Sequence, residues 1–446
     1  MIALTQNYLT RGFWGDEAWT SLISQLPYMQ MLKTTAADFH PPAYYSVVAL
    51  VYKFLAPTEI ITRSISIVFY LLTLFLVYKL ASEIKGKVFG ALTTLVVALN
   101  PIFFTYAFEA RNYTMFAFAA VGSIYFLTKL STGFTKIRAV GFVLFTVLGI
   151  YTHYYMFFTL AAQGLYLLLF DRKIFWRFFG LYIIVGILYL PWLPFLAGQL
   201  KSVGQSYWIG GIDKRTYYEA FLRILGGEDK SIYRSILFGL SLLLLTIGIV
   251  QHLLRPSTDW KLKPHFEKPY ILIWFWAIIP FIFASLPGLR LGGLNLPFRP
   301  IFFWRYLINA SVPLAMVMVH SSQKFPRFLF TASVAMMVIL SIAINTTTFG
   351  KNPQTFRQAY QQKVLPYING NDKIVTVLPS FAEVMYYRNR MNLPNELIVL
   401  PEGLVQFSGK SLLDIYVENG KVKIDNAPDG PYFELRPGPS IIVHSQ

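Results

Sequence analysis

The chain has 446 residues, 55% of them hydrophobic and only 14% charged, and its mean hydropathy is positive. Soluble domains carry roughly 25% charged residues, so the solvent this composition fits is a bilayer. The formal net charge of +17 is scattered between apolar runs instead of gathered into one soluble stripe, which argues against a nucleic-acid binder, and the lack of cysteine excludes disulfides, thiolate metal sites and cysteine nucleophiles.

Polar residues such as Gln6, Asn7, Arg11 and Asp16 precede the first apolar run, and no cleavable signal peptide is visible. Residues 1–61 read as an external loop that carries an acidic motif and interfacial helices. Within it the stretch 43–57 is short and contains Lys53, so it lies along the interface instead of crossing. A crossing helix needs about 20 apolar residues. Ten segments approach that length: 62–80, 88–107, 112–130, 138–152, 154–170, 176–196, 235–254, 270–286, 305–321 and 327–347. They define a transmembrane domain over 62–349. From 350 to 446 a helix over 354–369 and apolar runs at 373–379, 396–401, 414–420 and 440–445 predict a small α/β domain outside the membrane.

Alternate loops are basic: Lys79, Lys85 and Lys87; Lys129, Lys136 and Arg138; Arg172, Lys173 and Arg177; Arg255, Lys261, Lys263 and Lys268; Lys324 and Arg327. The positive-inside rule makes these loops cytoplasmic and turns the other set outward. Residue 1 is then already outside, and the layout implies a first transmembrane helix ahead of this sequence.

The unusual polar residues fall on the outward side, where an ionisable group at a membrane needs a partner or a purpose. Asp16 and Glu17, in GDEAWT, are adjacent carboxylates; one suits a general base and the other an orienting role, the alternative being a solvated helix cap. His40 precedes Pro41 and Pro42 at the start of the interfacial helix, where an imidazole can donate to a phosphate oxygen. Arg111, in EARNY, and Arg305, in WRYL, offer planar forks that hold phosphate bidentately, the alternative for Arg111 being an interfacial ion pair. Tyr44, Glu109, Tyr113, His153 and Tyr306 stand beside these groups as candidate substrate-binding residues. No spacing demands a metal, and a divalent cation remains compatible with the gathered carboxylates and histidine.

The ordered set GDEAWT, HPPAYY, TRSIS, EARNYTM, YTHYY and FWRYLI resembles the bacterial branch of the GT-C superfamily. Within it the resemblance is to glycosyltransferase family 39 type proteins, relatives of protein O-mannosyltransferases and of the aminoarabinose transferases of lipid A. It implies an α-helical polytopic membrane protein of GT-C type that moves a sugar from a polyprenyl-phosphate donor to a glycan, lipid or protein acceptor at the outer face of the plasma membrane. By the same resemblance Asp16 matches the essential acidic position and Glu17 its neighbour, while His40, Arg111 and Arg305 match positions near the donor phosphate. No cofactor is then required. The expected reaction is a single inverting displacement with Asp16 as base. A transporter or flippase of lipid-linked sugars is the rival reading; it calls for inverted repeats, broken mid-membrane helices and ionisable residues near the bilayer centre.

Overall fold

A computed structural model describes residues 2–205, 209–256, 262–264, 268–288, 290–291, 294–295, 299–402, 404 and 409–444. Four short helices come first: α1 (Ile2–Thr10), α2 (Gly15–Ser24), α3 (Tyr28–Ala37) and α4 (Ala43–Tyr52). The helical body follows: α5 (Glu59–Lys85), α6 (Lys87–Leu99), α7 (Pro101–Ala107), α8 (Tyr113–Thr132), α9 (Lys136–Thr152), α10 (Met156–Phe170), α11 (Arg172–Tyr189), α12 (Leu193–Gln205), α13 (Lys214–Gly226), α14 (Ile232–Leu253), α15 (Lys268–Ser285), α16 (Ser311–Ser322) and α17 (Arg327–Gly350).

Local chemistry sets the breaks between these elements. Thr58 caps α5 by accepting a hydrogen bond from the Ile61 backbone N–H. Gly86, at φ +87°, ends that helix and opens the next, a conformation that costs a residue without Cβ little. At Asn100-Pro101 the asparagine side chain accepts from the Phe103 N–H, the proline occupies the first turn, and the chain bends by 68° between α6 and α7.

Each of the ten expected spans falls on helix, but fewer are long enough to cross alone. Among the described residues five stretches qualify by length and apolarity, Glu59–Lys85, Tyr113–Thr132, Arg172–Gly204, Ile232–His252 and Arg327–Gly350, with the bent pair α6 and α7 as a sixth. Expected span 305–321 is a 3₁₀ segment (Trp304–Ala310) followed by α16, in which every residue is buried. That helix is sheathed by protein, so its apolar content reflects neighbouring helices more than lipid. Lipid-type faces are instead presented by α5, with Val68, Leu71 and Phe75 exposed, and by α11, with Ile183, Ile184 and Ile187 exposed. Exposed apolar faces of this kind are stable only against a hydrocarbon solvent. The protein is a multi-pass membrane protein.

The C-terminal part is a five-stranded sheet with helices. Its strands are β1 (Lys373–Thr376), β2 (Leu397–Val399), β3 (Lys423–Ile424), β4 (Tyr432–Arg436) and β5 (Ser440–His444), ordered β3-β2-β1-β4-β5, parallel except for the β4–β5 pair. Around it lie α18 (Phe356–Ala359) with a π-turn over Tyr360–Val364, α19 (Phe381–Arg390) and α20 (Lys410–Glu418). The apolar run 414–420 belongs largely to α20, while β4 emerges from a run broken by Glu434 and Arg436.

This domain is bolted to the N-terminal segment. The Tyr387 hydroxyl accepts from the Phe13 N–H at 2.6 Å and donates to Glu59 at 2.9 Å, and Tyr386 donates to the Pro57 carbonyl at 2.7 Å. Gly12 leaves the necessary room: a Cβ there would stand 2.7 Å from Thr355 Oγ1 and 2.9 Å from Thr355 Cβ. The two ends of the chain therefore form one wall.

Candidate functional site

The adjacent carboxylates at the start of α2 point to different places, because successive residues on a helix are about 100° apart around its axis. Glu17 turns inward and is wholly buried against Arg63 of α5, with Arg63 Nε donating to Oε1 at 2.8 Å and Nη2 to Oε2 at 2.6 Å. The remaining guanidinium hydrogens reach the carbonyls of Tyr8, Leu9, Arg11 and Gly12 at 2.6–3.2 Å. Glu17 Oε1 also accepts from the Ala110 N–H at 2.9 Å. Burial opposes ionisation of Glu17, but the charge and hydrogen bonds of Arg63 outweigh it and hold the carboxyl below its ordinary range. Glu17 thus fastens α2 to the loop that carries Arg111 and does not reach the cavity described next.

Asp16 faces that cavity. Its carboxylate is half-exposed, with Oδ2 3.7 Å from Arg111 Nη2 and 3.8 Å from Arg305 Nη1. Arg305 is framed by the rings of Phe303, Trp304 and Trp14, its guanidinium carbon 4.9–5.7 Å from their centroids. Arg111 Nη2 lies 3.2 Å from His40 Nε2. A guanidinium only donates, so Nε2 accepts and the His40 proton resides on Nδ1, a buried atom with no partner among the described residues. Burial, with Arg111 and His153 adding to it, holds His40 well below the ordinary histidine pKa, so the ring is neutral.

These groups line a polar cavity of about 310 Å³, together with Trp19, Asp38, Phe39, Tyr306 and, from the C-terminal domain, Leu378, Pro379, Ala382 and Glu383. A second cavity of about 680 Å³ adjoins it and shares Phe39, His40 and Tyr306. Its other walls are mostly apolar, including Phe157, Phe158, Leu196, Leu200, Val203 and Ile301. His153 belongs to this second cavity, stacked on Phe116 with centroids 4.9 Å apart, and burial and then Arg111 bring its pKa down to about 3.

Of the residues singled out in the sequence, Asp16, His40, Arg111, Arg305 and Tyr306 meet in the polar cavity and His153 lies in its apolar neighbour. Tyr44, Glu109 and Tyr113 line neither and are positioned for support instead. Tyr44 hydrogen-bonds Ser66 at 2.8 Å, and Ser66 donates to the Arg111 carbonyl at 3.1 Å. Tyr113 packs edge-on against Tyr106, centroids 4.8 Å apart, and Glu109 is buried 3.9 Å from Arg11, its pKa raised to about 8 by burial first and by Glu17 next.

Two lining residues escape a reading of the sequence. Asp38 stands two positions before His40, and burial raises it to about 7. Glu383 sits on α19, and burial raises it to about 8. Its Oε2 and Oδ1 of Asp38 are buried without a partner among the described residues. The proximity of Asp38 to HPP was the only available signal. Among the described residues no group of three or more histidine, aspartate or glutamate side chains is placed to hold a metal ion.

No protein-family model and no curated protein sequence matches the chain. Solved structures do. ArnT from Cupriavidus metallidurans in the apo state superposes with a TM-score of 0.65 at 13% identity, over 98% of this chain and 90% of that one. The chain has the ArnT fold. The same ArnT bound to undecaprenyl phosphate gives a TM-score of 0.65, again at 13% identity, over 98% of this chain and 91% of the other. The architecture expected from the sequence, a polytopic helical body with a small C-terminal α/β domain, is the one found, and over 98% of the chain it follows the ArnT fold.

Proposed function

We propose that this protein is an inverting glycosyltransferase that takes a sugar from a polyprenyl-phosphate donor and delivers it to a glycan, lipid or protein acceptor. The observation that carries the reading is the pairing of the two cavities: a carboxylate bracketed by two arginines in a polar chamber that shares Phe39, His40 and Tyr306 with a larger apolar chamber. The apolar chamber suits a polyprenyl tail, the junction its phosphate, and the polar chamber the sugar. ArnT, whose fold this chain has, has been seen holding undecaprenyl phosphate.

In the proposed reaction Asp16 takes the proton of the acceptor hydroxyl as that oxygen forms a bond to the anomeric carbon. The bond from that carbon to the phosphate oxygen breaks, its electron pair stays on the phosphate, and the configuration inverts. A phosphate leaves without a general acid, but its charge must be met where water is scarce. Arg111 and Arg305 are suited to it, and the free Nδ1–H of His40 adds a neutral donor. Donors of this kind are worth ~10²–10³ in rate each. The guanidinium groups lie too far from Asp16 for tight bonds, at 3.7 and 3.8 Å. They are therefore not locked to the carboxylate and can turn to a bound phosphate.

The basic turns at Lys85-Gly86-Lys87 and Lys129–Lys136 lie at the helix ends away from this chamber, since α5 begins beside it at Glu59 and ends at Lys85, and α8 begins at Tyr113 and ends past Lys129. The positive-inside rule supports reading the chamber and the C-terminal domain as extracytoplasmic, and a polyprenyl-phosphate donor fits the plasma membrane as the site. No cofactor enters the scheme.

The test is transfer in proteoliposomes from a panel of polyprenyl-phosphate sugars to envelope extracts, read by mass spectrometry. Asp16→Asn lowers transfer by ~10³-fold or more while leaving folding intact; undiminished turnover by that variant removes Asp16 as the base.

A further inference from the structure

Glu383 reaches the polar chamber from the C-terminal domain, a part of the chain for which the proposed reaction has so far assigned no role. Its carboxyl is buried, Oε2 has no partner among the described residues, and Oε1 lies against Gly15, where a Cβ would stand 3.4 Å away. The acid thus packs against the backbone one residue before Asp16. A buried polar atom left without a partner is destabilising, so one retained in a chamber wall is best explained by a ligand that completes it.

The position within the chamber identifies which ligand. Phe39, His40 and Tyr306 border both cavities and mark the phosphate junction; Leu378, Pro379, Ala382 and Glu383 border only the polar one. The C-terminal domain therefore takes no part in the apolar chamber and meets the polar one at Gly15, next to Asp16. In the displacement proposed above, Asp16 is where the incoming hydroxyl must sit.

On the strength of that reading we infer that Glu383 is an acceptor-binding residue, which hydrogen-bonds a neutral hydroxyl-bearing group of the acceptor and holds its nucleophilic oxygen against Asp16. Burial supports the uncharged form of the acid, which both donates to and accepts from a hydroxyl. Glutamine has the same capacity; alanine has neither half of it.

The experiment measures initial rates with the active donor and acceptor pair, varying each separately, for the wild type, Glu383→Gln and Glu383→Ala, with undecaprenyl phosphate binding followed by tryptophan fluorescence as a control on folding. Expected is a rise of about 10- to 100-fold in acceptor KM for the alanine variant, recovery to within about threefold in the glutamine variant, and unchanged donor KM and undecaprenyl phosphate affinity in both. Three results overturn the inference: wild-type acceptor KM in Glu383→Ala, a shift in donor KM instead, or a glutamine variant as weak as alanine, which would mark an ionised carboxylate facing a cationic group. All three leave the proposed function standing, whereas a wild type inactive with every polyprenyl-phosphate sugar removes that function and this assignment together.

Discussion

Replacing Glu17 with glutamine isolates the fastening of the N-terminal segment. The substitution keeps the shape but places an amide NH₂ or a single carbonyl against Arg63, whose Nε and Nη2 now donate at 2.8 and 2.6 Å. One of the two bonds becomes donor against donor. Arg63 keeps its four backbone carbonyls but loses the only countercharge bonded to it. Breaking a fully buried pair from one side costs ~3–5 kcal/mol. With an unfolding entropy of about 2.1 cal/mol/K per residue, a chain of 446 residues loses ~3–5 °C in Tm if it unfolds as a unit. Thermal unfolding in detergent, followed by tryptophan fluorescence, measures this. Transfer should fall as well, since Glu17 also holds the Ala110 N–H at 2.9 Å, next to Arg111. The double variant Glu17→Gln, Arg63→Met should lose less than the two single losses combined, because neither charge is then left alone. Additive losses would refute the reasoning that the pair acts as a unit. Low pH gives the same information with a definite sign: a carboxyl held below its unfolded value of 4.5 contributes stability above that value and loses it as pH falls further.

The acids that burial keeps protonated act in the opposite direction. Asp38, raised to about 7, and Glu109 and Glu383, each raised to about 8, keep protons that the unfolded chain has lost above about pH 4.5, so each removes ~1.4 kcal/mol of stability per pH unit up to its folded pKa. His40 and His153, held neutral in the fold, offset this below about 6.5, where the unfolded chain takes up protons. Stability of the ligand-free protein should therefore decline between pH 6.5 and 8 and level off above, with Glu383→Gln flattening the decline; a rise over that window contradicts the burial argument. In the transfer assay, chelation by EDTA should leave the rate unchanged, and a rate restored only by added divalent cation would require a metal in the mechanism.

The sequence discloses residues whose environment it also discloses. Asp16, His40, Arg111 and Arg305 are conspicuous because each interrupts or abuts an apolar run, where a charge is expensive, and they converge. Glu17 shares that prominence, yet a one-residue step around α2 sends it to Arg63. Arg63 announced its importance within TRSIS but not its partner, 46 residues away. Glu383 is invisible for the complementary reason: α19 reads FAEVMYYRNR, a polar helix in which an acid costs nothing until tertiary packing buries it. Helical character was equally plain from composition, whereas the ability of each helix to cross alone was not, since an apolar helix enclosed by others, as α16 is, reads like one bathed in lipid.

The polar chamber draws its walls from both extremes of the chain, Trp14 to Asp16 at one and Leu378 to Gly409 at the other. During synthesis the apolar chamber is complete once the chain has passed residue 306, its last lining residue, while the polar chamber still lacks a side until α19 has been made and Tyr387 has closed on Phe13 and Glu59. On the proposed reaction, the side chains that α19 adds to the polar chamber are what stand between water and the anomeric carbon of a seated donor.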